Sequence, residues 1–319
     1  MEKLTVKAVR SDRIYSKIMM APVEKKDDIY RYDFMKLFET KWNMLHCPLK
    51  AKQEGGYDVI MASEMLGNLS PRKIDEKSAD MIALLSDDDF WDKCQRSIEN
   101  SLTRFEENGI ELKVREYLFT ITLANPESPY MKMCDNYCGD GGIPGYIFGA
   151  IVPSEYTMSR LPVALAHEAN HNVRFQFIKW SNDISLGEYI VCEGLAENYA
   201  ASIYGEEYVG PWVTKTDKET LNEYIKPLMK EALHVQGFDN ITAYMYGDEL
   251  AQMQNYIPAG MPYCAGYACG YHLVKYYLEK TGKNIIEATI LPAQEILEEA
   301  EEFWKEKSDF TWEYLKKEK

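Results

Sequence analysis

Apolar residues change their spacing along the chain, and this change predicts where helices give way to strands. Apolar positions three or four residues apart mark three predicted helices, residues 28–46, 57–67 and 88–108. Gly109 follows the last of them as a helix stop. Residues 1–9 alternate in polarity instead, which predicts a strand. We therefore expect residues 1–109 to form a mainly helical region, in which no recognisable chemistry stands out.

Strand-like spacing takes over from Ile110. The segments ELKV, EYLFTITLA and GYIFGAIV, which begin at residues 111, 116 and 145, are predicted strands. Residues 127–145 are rich in glycine and turn formers, so we predict a loop there. The run Gly139-Asp140-Gly141-Gly142 within it lacks the Gly-Lys-Ser/Thr of phosphate-binding loops, and it predicts a turn.

Helical periodicity returns over Leu161–Trp180, LPVALAHEANHNVRFQFIKW. Its first six residues have no polar side chain, which is typical of a buried helix. Pro162 suits the first turn, and Ser159 is the predicted N-cap. At the centre of this helix stands an H-E-x-x-H pattern, His167-Glu168-Ala169-Asn170-His171.

The H-E-x-x-H spacing indicates metal chemistry. Residues four apart share a helix face, so His167 and His171 can bind one zinc ion through neutral imidazole nitrogens. Glu168 then lies beside the coordination position left for water and can accept its proton. The alternative is a set of hydrogen-bonded core residues, but ionisable side chains on an apolar helix need partners or a metal. Because catalytic zinc keeps three protein ligands, a third one is required.

A second predicted helix, GEYIVCEGLAENYAASIY from residue 187, offers that ligand. Glu193 and Glu197 are four residues apart among apolar neighbours, which is unusual for a solvated face. Glu193 follows His171 by 22 residues, enough for the first helix to end and the chain to return. Glu188 is a rival ligand, but Gly187 beside it indicates a helix start, where the helix dipole alone favours a glutamate.

Taken together, HEANH and EGLAEN resemble the gluzincin group of zinc metallopeptidases, the thermolysin-like class. With GYACGYHLVKYYLEKTG they more closely resemble a bacterial family described as predicted zinc-dependent proteases, a domain of unknown function. The resemblance covers about Tyr117 to Gly282. It implies that one zinc ion per chain is bound by His167, His171 and Glu193.

The same resemblance implies roles around the metal. Glu168 is expected to be the general base, and Glu197 is expected to support the first histidine, although the thermolysin pattern has Asp there. In gluzincins the strand before the metal helix is an exposed sheet edge that pairs with substrate backbone. This implies that peptides bind along the predicted strand at 145–152, with three substrate-binding residues, Tyr146, Phe148 and Gly149.

Beyond residue 205 the pattern is mostly helical. The predicted helices are residues 217–234, 238–254, 263–281 and 294–306, followed by a short terminal helix. In the third of them, Gly266 and Gly270 are one turn apart and allow another backbone to approach closely. Gluzincins supply a Tyr or His after the metal to stabilise the oxyanion. The resemblance therefore implies Tyr267 as this donor, with Tyr271 in reserve.

Composition limits the partners. A net charge of −15 over 319 residues argues against nucleic acid and against anionic membrane surfaces. No apolar run reaches the roughly 18 residues that would span a membrane. Seven cysteines, an odd number, without a secretory signal favour reduced thiols and a cytoplasmic protein. The expected partner is a peptide or protein substrate.

The sequence and the resemblance together predict an α+β, zincin-like fold with a small, mostly antiparallel sheet, an active-site helix and a mainly helical C-terminal half. Three regions are expected, residues 1–109, residues 110–205 with the sheet and both metal helices, and residues 206–319 closing the cleft. The expected function is zinc-dependent peptide hydrolysis. Two alternatives stay open, a catalytically inactive peptide-binding or regulatory protein and a non-peptidase zinc hydrolase. A fourth protein ligand such as His234 or His272 would favour the inactive protein.

Overall fold

Helices and a small mixed sheet make up residues 3–312, the part of the chain that the computed structural model describes. The chain divides into two compact units. One comprises Met1–Glu106 and Ile110–Asn172, and the other comprises Glu107–Gly109 and Val173–Lys319. The fold is therefore α+β, as predicted.

The sheet has four strands in the order β1-β2-β4-β3. They are β1 (Thr5–Val9), β2 (Glu116–Leu123), β3 (Tyr137–Ile143) and β4 (Tyr146–Ile151). The predicted mostly antiparallel sheet is wrong, because β1 pairs with β2 and β2 with β4 in parallel, and only β3 and β4 are antiparallel. Parallel neighbours need long crossovers, which the intervening helices supply, whereas a short turn joins β3 to β4. The predicted strand at residues 111–114 is also wrong.

The helices before residue 178 follow the predicted periodicity in most places. They are α1 (Ser11–Met20), α2 (Val23–Ile29), α3 (Glu39–Met44), α4 (Val59–Met65), α5 (Ala79–Leu85), α6 (Asp88–Glu107), α7 (Pro129–Met133) and α8 (Glu155–Phe177). A π-helical turn, Tyr30–Phe34, and a 3-10 turn, Met35–Phe38, join α2 to α3. The predicted helices at 57–67 and 88–108 are confirmed, while α1, α5, α7 and most of α2 were not predicted.

Helix α8 is longer at its start than its sequence suggests. It begins at Glu155, so Pro162 lies inside the helix and the predicted N-cap at Ser159 is wrong. The start is fixed by Ser154, whose hydroxyl accepts the Thr157 N–H at 3.1 Å. Pro162 removes one amide donor from the helix, and its carbonyl accepts the Ser97 hydroxyl of α6 at 2.5 Å.

The described part of the second unit contains helices joined by loops and has no strand. Its helices are α9 (Leu186–Tyr204), α10 (Pro211–Thr214), α11 (Lys226–Ala232), α12 (Phe238–Tyr246), α13 (Asp248–Met253), α14 (Ala265–Thr281), α15 (Ile285–Thr289) and α16 (Ala293–Glu299). The predicted short terminal helix extends onto residues 313–319, which lie outside the described residues. Within residues 3–312, no helix has the length and apolar character needed to cross a membrane.

Helices α9 and α14 approach each other closely, as the glycine spacing predicted. A Cβ atom on Gly194 of α9 would lie 2.1 Å from the carbonyl oxygen of Gly270, and one on Gly270 would lie 2.1 Å from that of Ile190. Neither position can therefore carry a side chain without moving a backbone. This contact fixes α9, which carries Glu193 and Glu197, against α14, which carries Tyr267.

Candidate metal centre

Helix α8 brings its two histidines together in a buried position. The Nε2 atoms of His167 and His171 lie 3.0 Å apart, and the two residues are 4% and 7% exposed. Two nitrogens bound to one tetrahedral zinc at about 2.0–2.1 Å would be about 3.3–3.4 Å apart. The two imidazoles are thus close to the spacing that a shared zinc ion requires.

Glu193 of α9 supplies a carboxylate to the same place. His167, His171 and Glu193 offer ligand atoms that all lie within 4.8 Å of one another, and Glu193 is 6% exposed. Two imidazoles and one carboxylate are a donor set of catalytic zinc sites, which keep a fourth position for water. Among the described residues, no other His, Cys, Asp or Glu joins this cluster. The three residues fit a bound zinc ion.

The other residues considered as metal ligands, Glu188, His234 and His272, lie outside this cluster. Glu188 accepts the backbone N–H of Ser185 at 2.8 Å and its hydroxyl at 2.7 Å, so it completes a capping box at the start of α9. His272 stacks on Phe310 with ring centroids 4.0 Å apart, and burial lowers its pKa to about 3. His234 is exposed and lines a cavity of about 800 Å³ in the second unit.

Glu168 is held by the strand that passes alongside α8. The Gly141 N–H of β3 donates to its Oε2 at 2.6 Å, and the residue is 7% exposed. A Cβ atom on Gly139 would lie 2.4 Å from the Glu168 Cγ, and one on Gly141 would lie 2.2 Å from its backbone oxygen. The segment predicted to be a loop is thus partly a strand, and its glycines permit this close passage.

Asn172, one residue after the second histidine, fixes the β3–β4 hairpin. Its side-chain oxygen accepts the Gly145 N–H at 2.7 Å. Its Nδ2 donates to three carbonyl oxygens, those of Gly141, Ile143 and Tyr146, at 2.9, 2.9 and 2.8 Å. This role was not predicted, because it follows from burial: Asn172 is 0% exposed, and a buried amide needs hydrogen-bond partners.

The predicted peptide-binding strand is not an edge. Strand β4 lies between β2 and β3, so both of its backbone edges are paired. Tyr146 and Phe148 pack against the ring of Phe38, with centroids 6.3 and 4.6 Å away. Gly149 faces Leu161 of α8, where a Cβ would approach to 3.0 Å. The prediction that this strand is an exposed sheet edge is therefore wrong. The expectation that these three residues bind substrate rested on that edge and is no longer supported by it.

The carboxylate of Glu197 has partners that its spacing did not predict. It accepts the Gly210 N–H at 2.7 Å and the indole N–H of Trp212 at 2.8 Å. Both partners belong to the segment 210–212, which contains the N-cap and the first residues of α10. Glu197 therefore anchors that segment to α9, and its expected support of the first histidine stays a prediction.

Tyr267 belongs to a cluster of tyrosines around Glu193. The hydroxyls of Tyr189 and Tyr246 lie 2.7 Å apart, and the ring of Tyr267 lies 5.6 Å from that of Tyr246. Burial, and after it the nearby Glu193 carboxylate, raises the pKa of Tyr246 above its usual range, which keeps its hydroxyl protonated. Tyr271 is buried with Val213 in an apolar cluster, against which Tyr267 also packs. Tyr246 was missed because its stretch lacks strong periodicity.

Comparison with known proteins identifies a family for this chain. The model of a family described as "Predicted Zn-dependent protease (DUF2268)" matches residues 90–298. The chain is similar to the uncharacterized protein YjfC of Bacillus subtilis strain 168, with 38% identity over 284 residues. That alignment covers 89% of this chain and 94% of the relative. No solved structure matches significantly.

Proposed function

The chain belongs to this family of predicted Zn-dependent proteases, and from that premise we propose that it is a peptidase that hydrolyses peptide bonds with one zinc ion per chain. The observation that carries the proposal is the buried cluster of His167, His171 and Glu193. A purely structural site would ordinarily be closed by a fourth protein ligand. The cluster has three among the described residues, which supports a catalytic role.

We assign the metal to these three side chains and the proton transfers to Glu168. When bound, zinc lowers the pKa of a coordinated water and polarises the substrate carbonyl. Glu168 accepts the proton of the attacking water and returns it to the leaving amine. Its hydrogen bond from the Gly141 N–H holds the carboxylate in place for both transfers.

For the peptide, we propose that the substrate backbone pairs with β3 rather than with β4. Strand β3 is the edge of the described sheet next to Glu168, and it pairs with β4 alone. The Gly141 N–H and carbonyl are already bound by Glu168 and Asn172, so the pairing segment would be Tyr137–Asp140. An edge strand of this kind presents backbone donors and acceptors to an extended chain.

The oxyanion donor is proposed to come from the tyrosine cluster. Tyr267 is the first candidate, because it lies on α14, which packs directly on the Glu193 helix. Tyr246 is the second, because it lies between Tyr189 and Tyr267 and feels the charge of Glu193. A protonated phenol in this place can donate to the charge that develops on the carbonyl oxygen.

The test of the proposed function separates metal binding from proton transfer. Purified wild-type protein should contain about one zinc per chain by elemental analysis and should hydrolyse fluorescein-labelled casein. Glu168→Gln should keep its zinc and lose about 10²–10⁴-fold in turnover. Glu193→Ala should lose zinc, whereas Glu188→Ala, a glutamate of the same helix that only caps it, should keep it.

Four outcomes would contradict parts of the proposal. Full zinc content in Glu193→Ala would remove the third ligand. Undiminished hydrolysis by Glu168→Gln would remove the general base. A wild-type protein that carries zinc and cleaves none of a broad peptide library would favour the inactive peptide-binding alternative, and cleavage of another bond type would favour the non-peptidase hydrolase.

A further inference from the structure

Lys41 of α3 is a buried cation far from the metal helix in sequence. The residue is fully buried, and its ammonium lies 2.6 Å from Oδ2 of Asp140. The ammonium also lies 5.2 and 5.0 Å from the ring centroids of Trp42 and Phe148. A lysine in such surroundings depends on its carboxylate partner, because an unpaired buried charge is strongly disfavoured. The pair therefore ties α3 to strand β3.

Asp140 stands at a sensitive point of β3. It lies between Gly139 and Gly141, the two glycines that pass against Glu168. Its Oδ2 binds Lys41, and its Oδ1 accepts the Gly142 N–H at 3.2 Å. Burial raises the pKa of Asp140, but the Lys41 ammonium outweighs it and holds the pKa below its usual value. The side chain is thus fixed at both oxygens in its charged form.

The sheet itself does not hold Gly141. The β3–β4 register pairs Asp140 with Phe148 and next pairs Ile143 with Tyr146, with an irregularity between. Gly141 lies within that irregularity, so its position depends on side-chain contacts on either side. On one side Asn172 binds its carbonyl, and on the other Lys41 holds the preceding residue through Asp140.

We propose that Lys41 is a positioning residue that, through Asp140, holds the Gly141 N–H against the Glu168 carboxylate. This inference gives residues of the N-terminal region a role at the metal centre. Its catalytic consequence rests on the proposed peptidase function, but the positioning of Gly141 does not. A displacement of the order of 1 Å in a catalytic group can cost about 10²-fold in rate. Loss of the Lys41–Asp140 pair should therefore be measurable both in the mobility of β3 and in turnover.

The main variant is the double substitution Lys41→Met with Asp140→Asn, which removes both charges and leaves neither unpaired. Hydrogen–deuterium exchange with mass spectrometry, on the zinc-loaded full chain, should show exchange in residues 137–143 at least about tenfold faster than in wild type. Zinc content should be unchanged. Casein turnover should fall about 10–100-fold with KM changed by less than about threefold. Lys41→Arg alone, which keeps the charge, should keep the exchange rate and the turnover at their wild-type values.

The matched control is Lys26→Met. Lys26 is also a buried lysine of the N-terminal region, but it donates to the carbonyl of Ile74 rather than to β3. It should lower the thermal midpoint and leave exchange in residues 137–143 unchanged. If the double variant does not fold, Lys41→Met alone tests the same step, because the carboxylate that it leaves unpaired belongs to a side chain that is 33% exposed.

If the folded double variant exchanges hydrogen in residues 137–143 at the wild-type rate, the positioning role is overturned. Faster exchange combined with unchanged turnover would overturn its catalytic consequence. If the wild-type protein cleaves no casein, the proposed function fails on that substrate. The exchange measurement still decides whether Lys41 positions Gly141.

Discussion

Burial decides what each glutamate of α9 can do. Glu188 and Glu193 are five residues apart on one helix, yet Glu188 is exposed and caps the first turn whereas Glu193 is 6% exposed. An exposed carboxylate is solvated and satisfied by its capping bonds. A buried one must be paired, hydrogen-bonded or bound to a metal. The convergence of Glu193 with two equally buried histidines therefore carries more weight than the motif alone.

A single hydroxyl group also distinguishes Tyr267 from Tyr246 as the proposed oxyanion donor. Tyr267→Phe should lower turnover by about 10²–10³-fold while zinc content stays the same, since it removes a single donor to the oxyanion. The matched control is Tyr276→Phe on the same helix, whose hydroxyl donates to Glu306 at 3.1 Å and which should be as active as wild type. Steady-state hydrolysis of casein measures the turnover of the wild type, of these two variants and of Tyr246→Phe. Full activity in Tyr267→Phe with a crippled Tyr246→Phe would move the assignment to Tyr246.

At the scale of elements, α8 does more than carry ligands. Two consecutive turns of it hold the candidate metal histidines, the proposed general base and the asparagine that fixes the β3–β4 hairpin. Strand β3 in turn binds Glu168, the proposed general base, through the Gly141 N–H. Helix α8 and strand β3 therefore hold each other in place. We expect a substitution in α8 to alter the mobility of β3.

Asn172→Ala tests this mutual positioning. It removes the partner of the Gly145 N–H and of three carbonyls, so the free energy of unfolding should fall by about 2–4 kcal/mol. Urea unfolding measures this loss, and exchange in residues 137–143 should quicken at the same time. Asn198→Ala removes a buried asparagine that binds the carbonyls of Gly194 and Tyr271, and it should destabilise without affecting β3. Equal exchange in both variants would contradict the role of Asn172.

Across the whole molecule, the sequence predicted the elements that depend on the residues within them. Helix α6 and strand β2 were predicted because their apolar spacing is strong, and the helix start beside Glu188 was predicted from Gly187, although the capping box was not. Strand β3 was not, because glycine in a sequence indicates turns. Here Gly139 and Gly141 are needed because a helix passes within contact distance, and no local pattern shows such a neighbour.

The remaining misses also depend on partners distant in sequence. Lys41 sits in an amphipathic stretch, where a lysine is typical of a solvated face, and its partner Asp140 is 99 residues away. The placement of β4 inside the sheet depends on β3, whose strand character was itself unrecognised. The family resemblance indicated the metal residues and the general base, but it did not indicate how the hairpin holds that base.

The stability of the chain should depend on zinc. A ligand that binds only the folded state stabilises it by RT ln(1 + [L]/Kd), about 4 kcal/mol at a thousandfold excess over Kd. For a chain of this size, that corresponds to a thermal midpoint higher by on the order of 5–10 °C. Scanning calorimetry of the wild-type protein before and after dialysis against EDTA measures the shift, and restored zinc should reverse it. Glu168→Gln, which keeps all three ligands, should show the same shift. His171→Ala should begin at the lower midpoint and respond to neither treatment. An unchanged wild-type midpoint after complete zinc removal would show that the cluster contributes nothing to holding the folded chain together.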